Sequence, residues 1–157
     1  MKTKVCPVIL RRAAYGPQVL AFRHPRAGHQ IVKGTLEPSE APGQAALREL
    51  FEESGIRLHR PMRPLGPVCI RRGKPADPPR WLLYAATVCG LPERWQHYCT
   101  DDGGLVFSFF WHPLALPLRP THSAFNDAIL GVRRALAHGL PPVSRASFSP
   151  ARPAAPE

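Results

Sequence analysis

Residues 34–56 form an acidic segment that restricts what this chain can fold into. Five of the eleven acidic residues of the chain fall here, where Arg48 is the only base, so the segment carries a charge of −4 in a chain of net charge +10. Residues 44–54 are good helix formers, and Gly55 is a common helix stop. The pattern predicts an acidic loop and helix, which is either a metal site beside an anion-binding surface or a solvated acidic helix.

Helical periodicity groups three of these acids. Glu49, Glu52 and Glu53 fall within one arc of about 100° on a helix. The opposite side carries Leu47, Leu50, Phe51 and Ser54. We therefore expect the helix to anchor its apolar side on a sheet and to present the three carboxylates outward together. Such carboxylates repel one another, and because no His or Cys accompanies them, the cation that would relieve the repulsion is Mg²⁺ or Mn²⁺.

The rest of the chain alternates strand patterns with one further helix. Apolar patterning predicts strands over residues 4–10, 18–22, 65–70, 81–88 and 105–111, a short strand-like piece at 31–33, and a second helix over 123–138. This order favours a mixed sheet with helices packed on it. The 157 residues fit one domain, expected over residues 1–140, followed by a tail over 141–157 that is expected to be irregular because it holds five prolines.

Several classes of protein are excluded by what the sequence lacks. No apolar run approaches the ~20 residues that span a bilayer, and no signal-peptide pattern begins the chain, so we expect a cytoplasmic protein with no membrane partner. The four cysteines form no C-x-x-C pair, which excludes zinc ribbons and thioredoxin-like motifs. The common glycine-rich nucleotide-binding loops are absent as well.

The acidic segment also carries a known signature. It matches G-x5-E-x7-R-E-U-x-E-E-x-G-U, where U is aliphatic, at every fixed position: Gly34, Glu40, Arg48, Glu49, Leu50, Glu52, Glu53, Gly55 and Ile56. This is the Nudix box, and with the flanking strands and last helix the chain resembles the Nudix family over about residues 4–138. The resemblance implies an α/β/α sandwich with a mixed sheet, and a hydrolase that uses Mg²⁺ or Mn²⁺ to cleave a diphosphate linked to another moiety.

The resemblance assigns roles to the acids of the box by their position in the motif. Glu49, Glu52 and Glu53 resemble the metal ligands of the family, and one of them is often the general base. Glu49 and Glu53, together with Arg48, are the expected catalytic residues. Which glutamate is the base stays open.

Further positions are expected to support the site. The resemblance implies that Gly34, Glu40 and Gly55 are structural: Gly34 permits the turn of the loop and close approach of a backbone carbonyl to the metal, and Glu40 and Arg48 brace the loop and the helix. Lys33 directly precedes the box, where many family members that act on polyphosphates have Pro-Lys-Gly. Here the lysine is kept and Val32 replaces the proline, so Lys33 is a candidate substrate contact. Arg23, at the end of the second predicted strand, is the other candidate.

Features outside the box allow two interpretations each. Asp101 and Asp102, with Glu93 behind them, either add an acid to the site or form a plain Asp-Gly turn. Trp95 either stacks on a base or packs internally. Residues 57–80 hold seven bases against one acid and either steer a polyphosphate or form a solvated loop.

The expected function is metal-dependent hydrolysis of a diphosphate linkage by attack of water on phosphorus. Net charge and Lys33 favour a phosphate-rich substrate, namely a nucleoside triphosphate, a dinucleoside polyphosphate or an RNA 5′ end. The alternative is a catalytically idle domain that serves as a nucleotide sensor or an RNA-binding module. A homodimer is compatible with the resemblance.

Overall fold

Strands make up most of the regular structure, and two helices pack on them. The computed structural model describes residues 3–71 and 76–156. Its strands are β1 (Lys4–Arg11), β2 (Gln18–His24), β3 (Gly28–Gln30), β4 (Gly34–Thr35), β5 (Ile56–Leu58), β6 (Arg63–Cys69), β7 (Arg80–Cys89), β8 (Trp95–Cys99), β9 (Leu105–Pro113) and β10 (Val143–Phe148). The helices are α1 (Pro42–Ser54) and α2 (Ser123–Ala135). Neither of these two helices has the length and apolar character needed to cross a membrane.

The sheet is mixed and opens between two of its central strands. Its order is β5-β10-β7-β1-β2-β9-β8, with β1 parallel to β7 and antiparallel to β2. β1 pairs with β2 only at Leu10↔Val19 and Arg11↔Gln18, whereas its first residues pair with β4 and the end of β2 pairs with β3. β1 and β2 therefore diverge, and the chain from β3 to β4 fills the gap. The Nudix box begins in this gap.

The alternation of side chains along the strands divides the core into two layers. One cluster includes Ile9, Phe22 and Leu50 and lies under α1. The other includes Val8, Trp81 and the apolar side of α2. A helix thus covers each face of a mixed sheet, which confirms the expected α/β/α sandwich.

The five longer predicted strands and both helices are present, with bounds shifted by a few residues. The strand predicted at residues 31–33 is wrong. Pairing occurs before it in β3 and after it in β4, while Ile31 and Val32 bury their side chains in opposite core clusters. β5 and β8 were not predicted, because neither short strand contains a run of apolar residues.

The C-terminal segment contains a strand where irregular structure was expected. Val143–Phe148 forms β10, which pairs in parallel with β7 and in antiparallel fashion with β5, as in Phe148↔Ile56. The six residues of β10 lie between Pro142 and Pro150, so the prolines bound the strand and do not interrupt it. β10 carries the chain back to the end of α1.

Candidate active site

α1 turns its acidic side towards the gap in the sheet. Its buried residues include Glu49 as well as Leu50, and the Glu49 side chain is only 9% exposed. The Glu53 side chain is half-buried, and only Glu52, with 45% of its side chain exposed, faces solvent. The expectation of three carboxylates pointing outward together is therefore wrong. The reason is that α1 meets main chain at residues 33–35 in the gap, so its acidic flank is enclosed as well as its apolar face.

The guanidinium of Arg48 connects the loop of the Nudix box to the helix. Its Nε and Nη2 donate to the two carboxylate oxygens of Glu40 at 2.8 and 2.9 Å, and Nη2 also donates to the Thr35 carbonyl at 3.1 Å. Its Nη1 donates to Glu49 at 2.9 Å and to Glu52 at 3.2 Å. These bonds lower the pKa of Glu40 and raise the pKa of Arg48 further above its ordinary value.

Gly34 makes room for one of these carboxylates. A Cβ atom at position 34 would fall on the carboxyl group of Glu49. The glycine is therefore required by close packing, since its φ does not lie in the left-handed region. Gly55, at the other end of the box, does adopt a left-handed conformation with φ of 80° and caps α1.

Glu53 is the carboxylate with the strongest electrostatic perturbation. It accepts a hydrogen bond from the Lys33 backbone N–H, but its Oε2 atom is buried without a partner among residues 3–71 and 76–156. Burial raises the pKa of Glu53 to about 8, and the nearby charge of Glu49 acts in the same direction against the charge of Lys33. Burial also raises the pKa of Glu49, which the hydrogen bond from Arg48 opposes.

The carboxylates suit a hard divalent cation in chemistry, although they are not arranged as a finished cage. In the described part of the chain, no group of three or more His, Cys, Asp or Glu side chains is placed to hold a metal ion. Among the described residues, however, the buried Oε2 of Glu53 has no partner, and a cation bound between Glu53 and the buried Glu49 would supply one. Such a cation would have to share Glu49 and Glu52 with Arg48.

Of the acids outside the box, Asp101 lies near the site and Glu93 does not. Asp101 begins a short 3-10 turn, Asp101–Gly103, and its charge also raises the pKa of both Glu49 and Glu53. The side chain of Asp102 lies outside the described residues. Glu93 accepts two hydrogen bonds from Arg11 at 2.7 and 2.8 Å, so it is occupied in a different ion pair.

Lys33 connects the carboxylates with a cavity of about 810 Å³. Its charge acts on Glu53, and its Nζ lies 5.7 Å from the ring centroids of both Trp81 and Phe125, which line that cavity. The two rings meet edge to face at 5.5 Å. His122 and Gln30 add polar groups to the wall. The cavity wall thus combines two aromatic rings with the Lys33 cation and the Asp77 carboxylate, and Lys33 also lies near the Glu53 carboxylate.

Arg23 does not join Lys33 in this cavity. It pairs with His29 across β2 and β3, and both residues line a separate cavity of about 490 Å³ together with Arg94. The structure thus separates the two candidate substrate contacts. Arg72 and Lys74, from the basic segment 57–80, lie outside the described residues.

Trp95 is engaged in packing on several sides. Its ring stacks on Phe109 with the centroids 5.0 Å apart and meets Phe148 edge-on at 4.8 Å. Its Nε1 donates to the Ser54 carbonyl at 3.1 Å. These contacts favour internal packing over stacking on a base.

A buried histidine that was not predicted to have a role contacts the box. None of the seven histidines was given a role, yet His97 is only 4% exposed, and its Nε2 lies 2.8 Å from the Glu52 carbonyl. Burial lowers the pKa of His97. The only signal for this residue would have been the strand pattern of β8, which places it on the same face as Trp95 and Cys99.

The NUDIX domain family model matches residues 2–130, which include the entire site described above. The chain belongs to the Nudix family. Membership of this family supports pyrophosphohydrolase activity on phosphorus-containing acid anhydrides.

Solved structures share the Nudix fold. The chain is 20% identical to the MutT NUDIX hydrolase of Burkholderia pseudomallei, with a TM-score of 0.61 over 83% of this chain and 97% of that one. It is 19% identical to the NUDIX domain of NrtR from Shewanella oneidensis, solved with ADP ribose, with a TM-score of 0.60 over 87% and 88% of the two chains. These identities support the fold alone.

A curated relative resembles a shorter stretch. Over 60 residues, 37% of this chain, the sequence is 40% identical to the octanoyltransferase of Myxococcus xanthus. The matching stretch spans 17% of that protein.

The contact between Gly34 and Glu49 predicts the effect of one methyl group. We expect Gly34→Ala to lower the free energy of unfolding by about 1–3 kcal/mol, the usual cost of overpacking. Adding Glu49→Ala to this variant should remove most of that cost, because the carboxyl group that the methyl displaces is then gone. Urea unfolding of the two single variants and the double variant measures this coupling.

Gly43→Ala is the matched control, since its Cβ would meet only a Tyr84 ring atom at 3.7 Å. Additive effects at positions 34 and 49 would contradict the contact.

The burial of Glu53 predicts how stability depends on pH without metal. Since its pKa is about 8 in the folded protein and near 4.5 in the unfolded chain, only the folded state keeps this proton between those values. The free energy of unfolding should therefore fall as pH rises through this range, by up to about 1.4 kcal/mol per pH unit.

Urea unfolding in EDTA at pH 5, 6.5 and 8 measures this effect. We expect Glu53→Gln to gain stability relative to the wild-type protein as pH rises, because glutamine exchanges no proton. Glu93→Gln serves as control, since its exposed ion pair with Arg11 lowers the pKa of Glu93. Parallel pH profiles of the wild type and Glu53→Gln would show that Glu53 is not buried as described.

Proposed function

We propose that this chain is a metal-dependent Nudix hydrolase that cleaves a diphosphate linkage in a nucleoside polyphosphate. The observation that carries the proposal is the buried Oε2 of Glu53, which has no partner in the described part of the chain and lies near Glu49 and Lys33. The same lysine faces an aromatic cavity large enough for a nucleoside. Lys33 therefore lies next to both the proposed catalytic carboxylates and the proposed nucleotide cavity.

Glu49, Glu52 and Glu53 are the residues that would hold Mg²⁺ or Mn²⁺. Such a cation, when bound, neutralises charge on phosphate oxygens and lowers the pKa of a water molecule. The part played by Arg48 is to hold the Glu49 and Glu52 carboxylates in place and to favour the ionised form of Glu49. Its own charge is permanent under physiological conditions.

The proposed reaction is attack of water on phosphorus. A bond forms between the water oxygen and phosphorus, the bond from phosphorus to the bridging oxygen breaks, and the phosphate-containing leaving group departs with that oxygen. Glu53 accepts the proton of the attacking water. Burial and the nearby charge of Glu49 raise the pKa of Glu53, which makes its carboxylate a stronger base than an exposed one.

The cavity beside Lys33 supports a nucleotide as substrate. The Trp81 and Phe125 rings offer aromatic surface to a base, and the Lys33 ammonium can pair with a phosphate. A net charge of +10 favours approach of a polyanion. The NrtR domain from Shewanella oneidensis, which has the same fold, was solved with a nucleoside diphosphate derivative, ADP ribose.

Turnover of a substrate panel tests the proposed reaction. Nucleoside triphosphates, dinucleoside polyphosphates, ADP-ribose and 5′-triphosphorylated RNA are incubated with Mg²⁺, Mn²⁺ or EDTA, and released phosphate species are quantified. We expect metal-dependent turnover of one substrate class, and Glu53→Gln should lower kcat by about 10²–10⁴-fold, the usual contribution of a general base. Glu93→Gln, the same change at an acid paired with Arg11, should keep wild-type kcat. Tight nucleotide binding without turnover would favour the alternative of a sensor domain, and full activity of Glu53→Gln would refute the assigned base.

Substitution of Lys33 tests the assignment of the cavity. Lys33→Met removes the ammonium but retains an apolar side chain, so we expect KM for the preferred substrate to rise by about 10–100-fold, the loss of one charge-assisted hydrogen bond. Arg133→Gln removes the same charge from an exposed position on α2 and should leave KM unchanged. An equal rise of KM in the two variants would mean that Lys33 acts only through the overall electrostatic field of the protein.

A further inference from the structure

Side chains from β8 bind the C-terminal end of the box helix. The last carbonyl groups of a helix have no partner within the helix, so they depend on groups from outside it. In α1, the Glu52 carbonyl meets His97 Nε2 at 2.8 Å, and the Ser54 carbonyl accepts from Trp95 Nε1 at 3.1 Å. Both contacts lie in the turn that carries the Glu52 and Glu53 carboxylates.

The hydrogen bonds of His97 determine its tautomer. The backbone N–H of Ala151 donates to His97 Nδ1 at 2.9 Å, so Nδ1 carries no proton. Nε2 therefore carries the ring proton and donates it to the Glu52 carbonyl. One buried imidazole thus connects the C-terminal segment of the chain to the metal-binding turn of α1.

Residues 149–151, here called the C-terminal clasp, lie directly against the end of the Nudix box. The Ser149 N–H donates to the Gly55 carbonyl at 2.9 Å, and the Tyr98 N–H donates to the Ala151 carbonyl at 2.9 Å. A Cβ atom at Gly55 would approach the Ser149 carbonyl oxygen to 2.6 Å and Pro150 Cα to 2.9 Å. The clasp lies beyond the residues that the family model matches, 2–130.

We propose that His97 and the C-terminal clasp are positioning elements that hold the last turn of α1 in the place where the Glu52 and Glu53 carboxylates can bind a divalent cation. The inference rests on the proposed function for the identity of the cation and the reaction. The clasp fixes His97, His97 fixes the main chain at Glu52, and the main chain fixes the carboxylates. Loss of a group that orients metal ligands commonly costs 10–100-fold in metal affinity or activity.

Two truncated chains that differ by three residues test the clasp. A chain that ends at Arg152 retains every hydrogen bond described for the clasp, whereas a chain that ends at Ser149 loses both bonds of Ala151 but keeps the one from Ser149 to Gly55. Mn²⁺ affinity is measured by electron paramagnetic resonance, and kcat and KM are measured on the preferred substrate. We expect the longer chain to match the wild type. The chain that ends at Ser149 should bind Mn²⁺ about 10-fold more weakly and lose about 10–100-fold in kcat, with little change in KM.

Substitutions at His97 test the connection that its ring makes between Ala151 and the Glu52 carbonyl. His97→Leu removes both hydrogen bonds, and we expect it to reproduce the effects of the shorter chain. The amide nitrogen of glutamine can reach the position of Nε2, so His97→Gln should recover part of the Mn²⁺ affinity and kcat. This rescue would not be expected if the ring only filled space.

A stability control separates positioning from general destabilisation. Val132→Ala creates a cavity in the core cluster under α2, on the other face of the sheet from α1. It should lower Tm while retaining Mn²⁺ affinity and kcat. The proposal is overturned if Val132→Ala, with the same loss of Tm as His97→Leu, lowers Mn²⁺ affinity and kcat as strongly as His97→Leu does. It is also overturned if the chain that ends at Ser149 keeps the wild-type Mn²⁺ affinity and kcat.

Mn²⁺ affinity and substrate turnover, measured separately, distinguish this proposal from the proposed function. A wild-type chain that binds Mn²⁺ but hydrolyses no substrate would refute the hydrolase function, while Mn²⁺ affinities of the variants would still decide the role of the clasp. A wild-type chain that does not bind Mn²⁺ would overturn both.

Discussion

The Arg48 guanidinium makes the contact on which the site depends. This group connects the loop and the helix of the Nudix box, because it binds Glu40 and the Thr35 carbonyl on one side and Glu49 and Glu52 on the other. Without the positive charge of Arg48 among them, the carboxylates would repel one another and separate the loop from α1. The planar guanidinium has five donors, whereas a lysine ammonium in this position would have only three.

The divergence of β1 and β2 explains how the site reaches both faces of the sheet. Because the chain from β3 to β4 lies in the gap between these strands, Lys33 contacts the Glu53 carboxylate through its main chain and the Trp81 ring through its side chain. In a continuous sheet, the strand between them would separate the carboxylates from the aromatic cavity. The gap therefore joins the carboxylates on the α1 side to the cavity lined by Trp81.

The site is held at a cost in stability. Glu53 and Glu49 are partly desolvated, and the pKa of each is raised, which means that folding disfavours their charged forms. Such strain persists only where the surroundings fix the groups in place. Here Arg48 holds the loop and the middle of α1, while His97 and the C-terminal clasp hold its end.

The sequence alone determined the elements that depend on local pattern. The spacing of Gly34, Arg48 and Glu53 identified the helix, its acids and the family, and long apolar runs predicted the central strands. Short strands such as β5, β8 and β10 have too few apolar residues to be recognised alone, since partner strands stabilise them. The fold class followed from the order of elements even so.

Tertiary structure alone decided which way the acids face and what holds them. Helical periodicity places Glu49 and Glu53 on one arc, but the gap between β1 and β2 determines that this arc is enclosed. His97 and Ala151 are 54 residues apart, and hydrogen bonds over such separations leave no pattern in the local sequence. A motif therefore specifies which groups are present, whereas packing specifies their burial, partners and pKa values.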